Sequence, residues 1–398
     1  MKRVLFVCYG SGHVRMVVPV ARALQASGRA QVQALGLTTA APVVREAGLP
    51  LLQFKDFVDA GDRDALARGQ ALAAAMGQVA DPDETAAYLG LSYAELQAEV
   101  GAEEAARRYA ADGRQAFLPV RVLARILGQG RPDLVFVTNS PRAERAAALA
   151  ARRLGIPAVC LVDLFAVDEV RWIGQPDYAD RVLVLNEAVR DFLVGAGRDP
   201  SQIRVTGNPA FDALAAPECA VAGAALREAR RGSGRRVVLW VEQEEPARHP
   251  FDGRPGDPTL PARAREAVLR WALAQPDVTV CVRPRAGQVP PALPDSAQVL
   301  LTGQDWPLHP LLHAVDAVVT LTSTVGLEGH LAGCRLIQVQ GSVFDEAMPL
   351  ARFGIADAAV PVDGLAQALQ AWVGAGRLAP RAGDSATARV LAEVDEFL

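Results

Sequence analysis

The stretch VCYGSGHVRMVVPVARAL (7–24) reads as a buried strand, a glycine turn and an apolar helix, and the turn carries His13, one of five histidines in 398 residues. Gly10 and Gly12 let backbone amides approach a ligand, and the helix start adds positive potential. An imidazole titrates near neutrality and can take a proton from a hydroxyl, so His13 is a candidate general base. Alone, the pattern Gly10-Ser11-Gly12-His13 reads equally well as a solvated helix cap. It is not the dinucleotide fingerprint, because Arg15 stands where GxGxxG needs its third glycine and no acid ends the second strand.

A second candidate lies in VDAVVTLTSTVGLEGHLAG (315–333). Ser323 and Thr324 stand at a helix start, where a hydroxyl is first of all an N-cap but also helps build an anion site. Glu328, one turn later, can accept two hydrogen bonds from a ribose diol, or can simply complement the helix dipole. Arg283 and Arg285 follow a strand in VCVRPRAG, and two guanidinium groups there could neutralise a diphosphate. The long polar loop 240–258, with Glu242, Glu244, Glu245, Arg248 and His249, is a third place where binding work is expected. The five cysteines are scattered without ligand spacing, and no acidic DxD pair follows a strand, so no metal site is expected.

These residues need a scaffold that brings strand ends together. Short Val/Leu/Ile runs alternate with helical patterns, as in a doubly wound parallel sheet. Strands are expected at 3–9, 30–37, 49–54, 132–139, 156–163 and 180–186, then at 235–243, 277–284, 297–303, 315–322 and 335–340. Two Rossmann-like α/β domains follow: 1–207 and 208–380, with a C-terminal helix in 381–398 that could pack back on the first domain. Two such domains are expected to form a cleft at their strand ends. Segment 58–128, rich in Ala, Glu and Arg, breaks the alternation as a helical insertion, either covering the cleft mouth or forming an extra helical layer.

Composition sets the outer bounds. Apolar residues make up 51% and charged residues 22%, a globular balance, and the net charge of −4 argues against a nucleic-acid partner. The N-terminal apolar run is too short for a signal peptide and no run reaches membrane-spanning length, so a cytoplasmic protein is expected, with room for peripheral contact at the inner membrane face. Scattered free thiols fit a reducing compartment. Monomer and homodimer both remain open.

The pieces GSGHVRMVVPVARAL, ADRVLVLNEAVRDFLVGAG, IRVTGNPAFDAL and TLTSTVGLEGHLAGCRLIQV resemble, in order and spacing, the GT-B fold nucleotide-sugar enzymes. These include the N-acetylglucosaminyltransferase of peptidoglycan synthesis, capsule and Kdo-type transferases, and the non-hydrolysing UDP-N-acetylglucosamine 2-epimerases. The resemblance implies that Gly10, Ser11, Gly12 and His13 face acceptor and donor phosphate. It further implies that Gly207 and Asn208 form the hinge, that Ser323, Thr324 and Gly326 bind donor phosphates, and that Glu328 holds the ribose. It implies no cofactor beyond a nucleotide-sugar substrate, most simply a UDP-sugar, and a glycan, lipid-linked or small-molecule acceptor. Arg283-Pro284-Arg285 replaces the His-Pro pair of many relatives, and the epimerase opening is absent. The expected activity is metal-independent glycosyl transfer; the alternatives are a 2-epimerase or sugar-nucleotide hydrolase of the same fold, and a non-catalytic binder.

Overall fold

The computed structural model describes residues 1–10, 12–37, 39–229, 235–285, 287–303, 305–379 and 384–398. The chain divides into two compact units, Met1–Ala210 with Asp384–Leu398, and Phe211–Gly383.

Unit 1 begins with β1 (Lys2–Cys8), α1 (Gly12–Ala26), β2 (Ala30–Gly36), α2 (Ala40–Glu46) and β3 (Leu51–Leu52). Four helices follow where the helical insertion was expected: α3 (Arg63–Ala75), α4 (Pro82–Val100), α5 (Ala102–Asp112) and α6 (Val120–Gly130). The alternation then resumes with β4 (Leu134–Thr138), α7 (Ala143–Arg153), β5 (Ala158–Leu161), α8 (Val170–Ile173), β6 (Arg181–Val184), α9 (Glu187–Gly195) and β7 (Ile203–Val205). The strands pair in parallel in the order β3-β2-β1-β4-β5-β6-β7.

The central strands are buried on both faces, which is why they read as unbroken apolar runs; Phe6 of β1 and Phe136 of β4 meet with ring centroids 4.9 Å apart. α1 buries Val14, Val17, Ala21 and Leu24, a 3.6-period stripe, against this sheet.

Unit 2 runs α10 (Pro217–Ala229), β8 (Arg236–Val241), α11 (Leu260–Leu273), β9 (Val278–Arg283), β10 (Val299–Leu301), α12 (Leu308–Ala314), β11 (Ala317–Thr320), α13 (Thr324–Leu331), β12 (Arg335–Val339), β13 (Ala358–Val360) and α14 (Leu365–Val373). Its six parallel strands are ordered β10-β9-β8-β11-β12-β13. Both sheets are therefore doubly wound, and every strand expected from sequence is present. The short edge strands β7 and β13 were not anticipated, since three residues carry too little periodicity to register.

The last helix, α15 (Ala386–Asp395), belongs to unit 1, where Val390 and Val394 are fully buried in the core. Its acids are anchored by ion pairs Arg181–Glu393 and Arg29–Asp395. Among the described residues no helix is long and apolar enough to cross a membrane.

The insertion is tied to unit 1 through α4. Asp81 caps this helix by accepting the Glu84 amide at 3.0 Å, with Pro82 preset at the first turn. Glu84 turns inward and is almost fully buried, accepting the Lys55 amide at 3.0 Å. Burial pushes its carboxyl up to about 7 despite that bond. A carboxyl raised in this way favours folding below the ordinary carboxylate range, and the advantage is lost as pH rises through 7. Glu84→Gln should therefore gain melting temperature relative to the wild type as pH goes from 5 to 7 and no further above 8, as followed by thermal unfolding. A pH-independent difference would show that the carboxyl titrates normally.

Candidate active site

In each sheet the strand order reverses beside the first strand, between β1 and β4 in unit 1 and between β8 and β11 in unit 2. Loops leaving the carboxyl ends of those strands diverge there and leave a crevice. The glycine turn with His13 leaves the end of β1, and Ser323 leaves the end of β11, whereas Gly207 and Asn208 lie elsewhere.

In unit 1, β1 ends at Cys8 and α1 starts at Gly12. A side chain at Gly10 would lie 1.7 Å from Thr39 Oγ1 and 2.9 Å from its Cβ, so the close approach of the turn to the β2–α2 loop demands glycine. Ser11 lies outside the described residues. The Tyr9 amide donates to Glu144 Oε1 at 2.7 Å, which fastens the turn to α7. Tyr88 of α4 is buried, and burial pushes its hydroxyl up to about 12. Arg142 lies over the Tyr9 ring at 5.1 Å.

His13 is half-buried, and its Nδ1 has no hydrogen-bond partner among the described residues. Three carboxylates surround it electrostatically: Asp163 after β5, Glu144 on α7 and Glu169 before α8. Burial raises the pKa of all three, and the His13 charge pulls each back down. A Cβ on Gly12 would sit 3.3 Å from Asp163 Oδ2, so the start of α1 lies directly against that carboxylate. The Asp163 amide donates to Asn139 Oδ1 at 2.7 Å, joining the ends of β4 and β5.

Immediately beyond, Leu164 and Ala166 have φ of 51° and 48°, a left-handed backbone that non-glycine residues rarely adopt. Strain of this kind is concentrated at functional loops. Asp163 was not singled out from sequence, although an acid ending the expected strand 156–163 was a readable signal.

The expected hinge residues lie next to the unit boundary. Gly207 has φ of 78° and packs beside Arg389 and Ala386 of the C-terminal segment. Asn208 is buried, its Oδ1 accepting the Ala210 amide at 2.9 Å and its Nδ2 3.1 Å from Met16 Sδ.

Unit 2 contains a cavity of about 900 Å³ at the carboxyl ends of β8, β9 and β11. Gln243, Arg283, Arg285, Ser323, Val325 and Phe344 are among the residues lining it. Ser323 caps α13 by accepting the Val325 amide at 3.2 Å, and both residues line the cavity, so the first turn of the helix forms part of its wall.

The two arginines are not equivalent. Arg283 is half-buried, donates from Nη1 to the Trp306 carbonyl at 3.1 Å, and has its pKa lowered by burial, with Glu328 acting in the opposite sense. Arg285 is exposed and lies 3.4 Å from Glu244. Glu328 sits one turn into α13 with His309 Nε2 3.6 Å from its Oε2; His309, whose pKa is lowered first by burial and then by His313, was not anticipated.

Two expected phosphate residues are placed differently. Thr324 is exposed and is not among the residues lining the cavity. Gly326 is buried on the sheet side of α13, where a Cβ would meet Thr320 Cγ2 at 2.8 Å and Leu336 Cδ1 at 3.1 Å. Its glycine is thus required by helix–sheet packing. Among the described residues, no group of three or more His, Cys, Asp or Glu is placed to hold a metal ion.

The turn before α13 is held by Gln243, whose Oε1 accepts from Thr320 Oγ1 at 2.8 Å, Leu321 N at 3.0 Å and Thr322 N at 2.9 Å. Gly326→Ala should push α13 away from β11 and lower stability by about 1–3 kcal/mol. Thr320→Ser in the same chain, which deletes the nearest methyl and keeps the hydroxyl bonded to Gln243, should recover part of that loss in thermal unfolding. No recovery would place the fault elsewhere.

No family model matches the chain, and no curated protein is similar to it in sequence. Solved structures do share its fold. The S. aureus MnaA–UDP structure aligns with a TM-score of 0.56 at 12% identity, over 100% of this chain and 97% of that one. The calicheamicin glycosyltransferase CalG4 aligns with a TM-score of 0.56 at 17% identity, over 100% and 98%. A UDP-GlcNAc 2-epimerase from Neisseria meningitidis bound to UDP-GlcNAc gives 0.55 at 11%, over 99% and 100%. The fold of this chain is the two-domain GT-B α/β fold, which epimerases and glycosyltransferases both use.

Proposed function

We propose that the chain is a glycosyltransferase that takes a nucleotide-activated sugar, most simply a UDP-sugar, and transfers the sugar to an acceptor hydroxyl. The observation that carries this reading is the 900 Å³ cavity of unit 2, where the capped N-terminus of α13 and the Arg283 guanidinium meet at the strand ends. Such a site suits a diphosphate, because helix-end amides and a desolvated guanidinium favour negative charge. Glu328 would accept the hydroxyls of the ribose. Solved neighbours in complex with UDP or UDP-GlcNAc support the choice of base.

In the proposed reaction His13 takes the acceptor proton while the acceptor oxygen attacks the anomeric carbon. The bond from that carbon to the phosphate oxygen breaks, and the nucleoside diphosphate leaves with the electron pair. Charge on the leaving group falls to the α13 amides and Arg283. Asp163, which lies against the start of α1, would orient the ring once an acceptor is bound. The acceptor is a glycan, a lipid-linked sugar or a small molecule.

A 2-epimerase is the second reading, favoured by neighbours of equal structural similarity. It needs no acceptor, which separates the two.

UDP-sugars should raise the melting temperature of the wild type, and Glu328→Gln should weaken that binding roughly tenfold, the worth of one lost charge-assisted hydrogen bond. With an acceptor present, UDP should be released in a reaction that survives EDTA, and His13→Ala should slow it by about 10²–10⁴. Asp163→Asn should slow turnover without changing UDP affinity. Isomerisation of the sugar nucleotide without acceptor would establish the epimerase reading, and indifference to every nucleotide sugar would overturn both.

A further inference from the structure

The run Glu242-Gln243-Glu244-Glu245 leaves β8, and its first three residues line the unit 2 cavity. Three acids beside an anion site would be self-defeating, yet each is occupied. Glu242 Oε1 accepts the Trp240 indole N–H at 2.8 Å and pairs with Arg265 at 2.9 Å. Glu244 lies 3.4 Å from Arg285. Glu245 is buried, accepting the Ser342 hydroxyl and the Val343 amide, both at 2.7 Å. The one member of the run facing the turn before α13 is the neutral Gln243. Its Oε1 gathers the three donors of Thr320, Leu321 and Thr322, and its Nε2 donates to Thr322 Oγ1 at 3.3 Å.

That hydrogen-bond pattern does not by itself demand an amide. A carboxylate of the same shape would accept the same three donors more strongly, and the Thr322 hydroxyl can rotate to donate instead of accept. What a carboxylate would add is a unit charge at the mouth of α13, where the helix presents its positive end. We propose that Gln243 is a positioning and selectivity residue of this cavity: it aligns the turn that presents α13, and its lack of charge keeps the cavity open to a nucleoside diphosphate. This rests on the nucleotide-sugar reading of the same cavity.

Gln243→Glu tests it, because the variant retains the acceptors and changes the charge. The melting temperature should stay near that of the wild type. UDP affinity, measured by calorimetry, should fall about 10–100-fold at pH 8 and low salt, as expected for a like charge a few ångströms from a phosphate. Binding of uridine, which has no phosphate, should be unaffected in an NMR titration. The ratio of variant to wild-type UDP affinity should recover as salt is raised, and with pH only well below the ordinary carboxylate range because three donors hold the carboxylate ionised, responses that a merely structural defect would not show.

Gln243→Ala, neutral but without the acceptor, should lose UDP affinity with no such pH or salt dependence, and it keeps the test open if the glutamate variant does not fold. UDP affinity equal to the wild type in Gln243→Glu, or in Gln243→Ala, would overturn the proposal while leaving the nucleotide reading standing. A wild type that binds neither UDP nor a UDP-sugar would overturn the nucleotide reading and this proposal with it.

Discussion

Parallel pairing in both sheets is the constraint from which the rest follows. Every strand of a parallel sheet delivers its carboxyl end to the same edge, and each chain return must cross a face as a helix. The order β3-β2-β1-β4 in one unit and β9-β8-β11-β12 in the other sends successive crossovers to opposite sides of the first strand. At that reversal the outgoing loops separate, so His13 and Asp163 collect in unit 1 and Gln243, Arg283 and Ser323 in unit 2. No special sequence is needed to open such a crevice. Sequence only decides what lines it.

The two linings solve opposite electrostatic problems. Around His13 three carboxylates are buried or half-buried, and burial raises their pKa values while the imidazole lowers them. Asp163 among them lies directly against the start of α1, where a carboxylate can hold the imidazole ring in place. Around the α13 N-terminus the acids of the 242–245 run are each bound to a cation or to backbone and hydroxyl donors. There the local sign is set by helix amides and Arg283, as suits an anion. The net charge of −4 conceals both arrangements, because local pairing and not composition decides what each site can hold.

Legibility in the sequence followed the range of the interactions involved. Strands such as 3–9 and 277–284 were readable because burial on both faces forces continuous apolar runs. Ser323 as a helix cap and Gly10 at a tight turn were readable because local geometry restricts residue choice at those positions. Gly326, which the family resemblance offers as a phosphate-binding glycine, is required as glycine by contacts with Thr320 and Leu336 of neighbouring strands, and those contacts are not readable from its own segment. Asp163 and Gln243 were passed over for a related reason. Their partners lie 24 and more residues away in sequence, and nothing in a single chain announces that pairing.

The same distinction explains why the fold is determined more firmly than the chemistry. Parallel strands and crossover helices are shared by solved structures of a glycosyltransferase and of a UDP-GlcNAc 2-epimerase, so the fold by itself does not choose between such activities. Discrimination must come from the residues around the sugar and from the base that receives the proton. In the proposed reading that base stands where the β1–α1 turn of unit 1 enters α1, beside the Asp163 carboxylate that follows β5. His13 and Asp163 then both stand just beyond the carboxyl ends of strands of the unit 1 sheet, so the strand ends that define the shared fold also carry the residues that would separate one chemistry from the other.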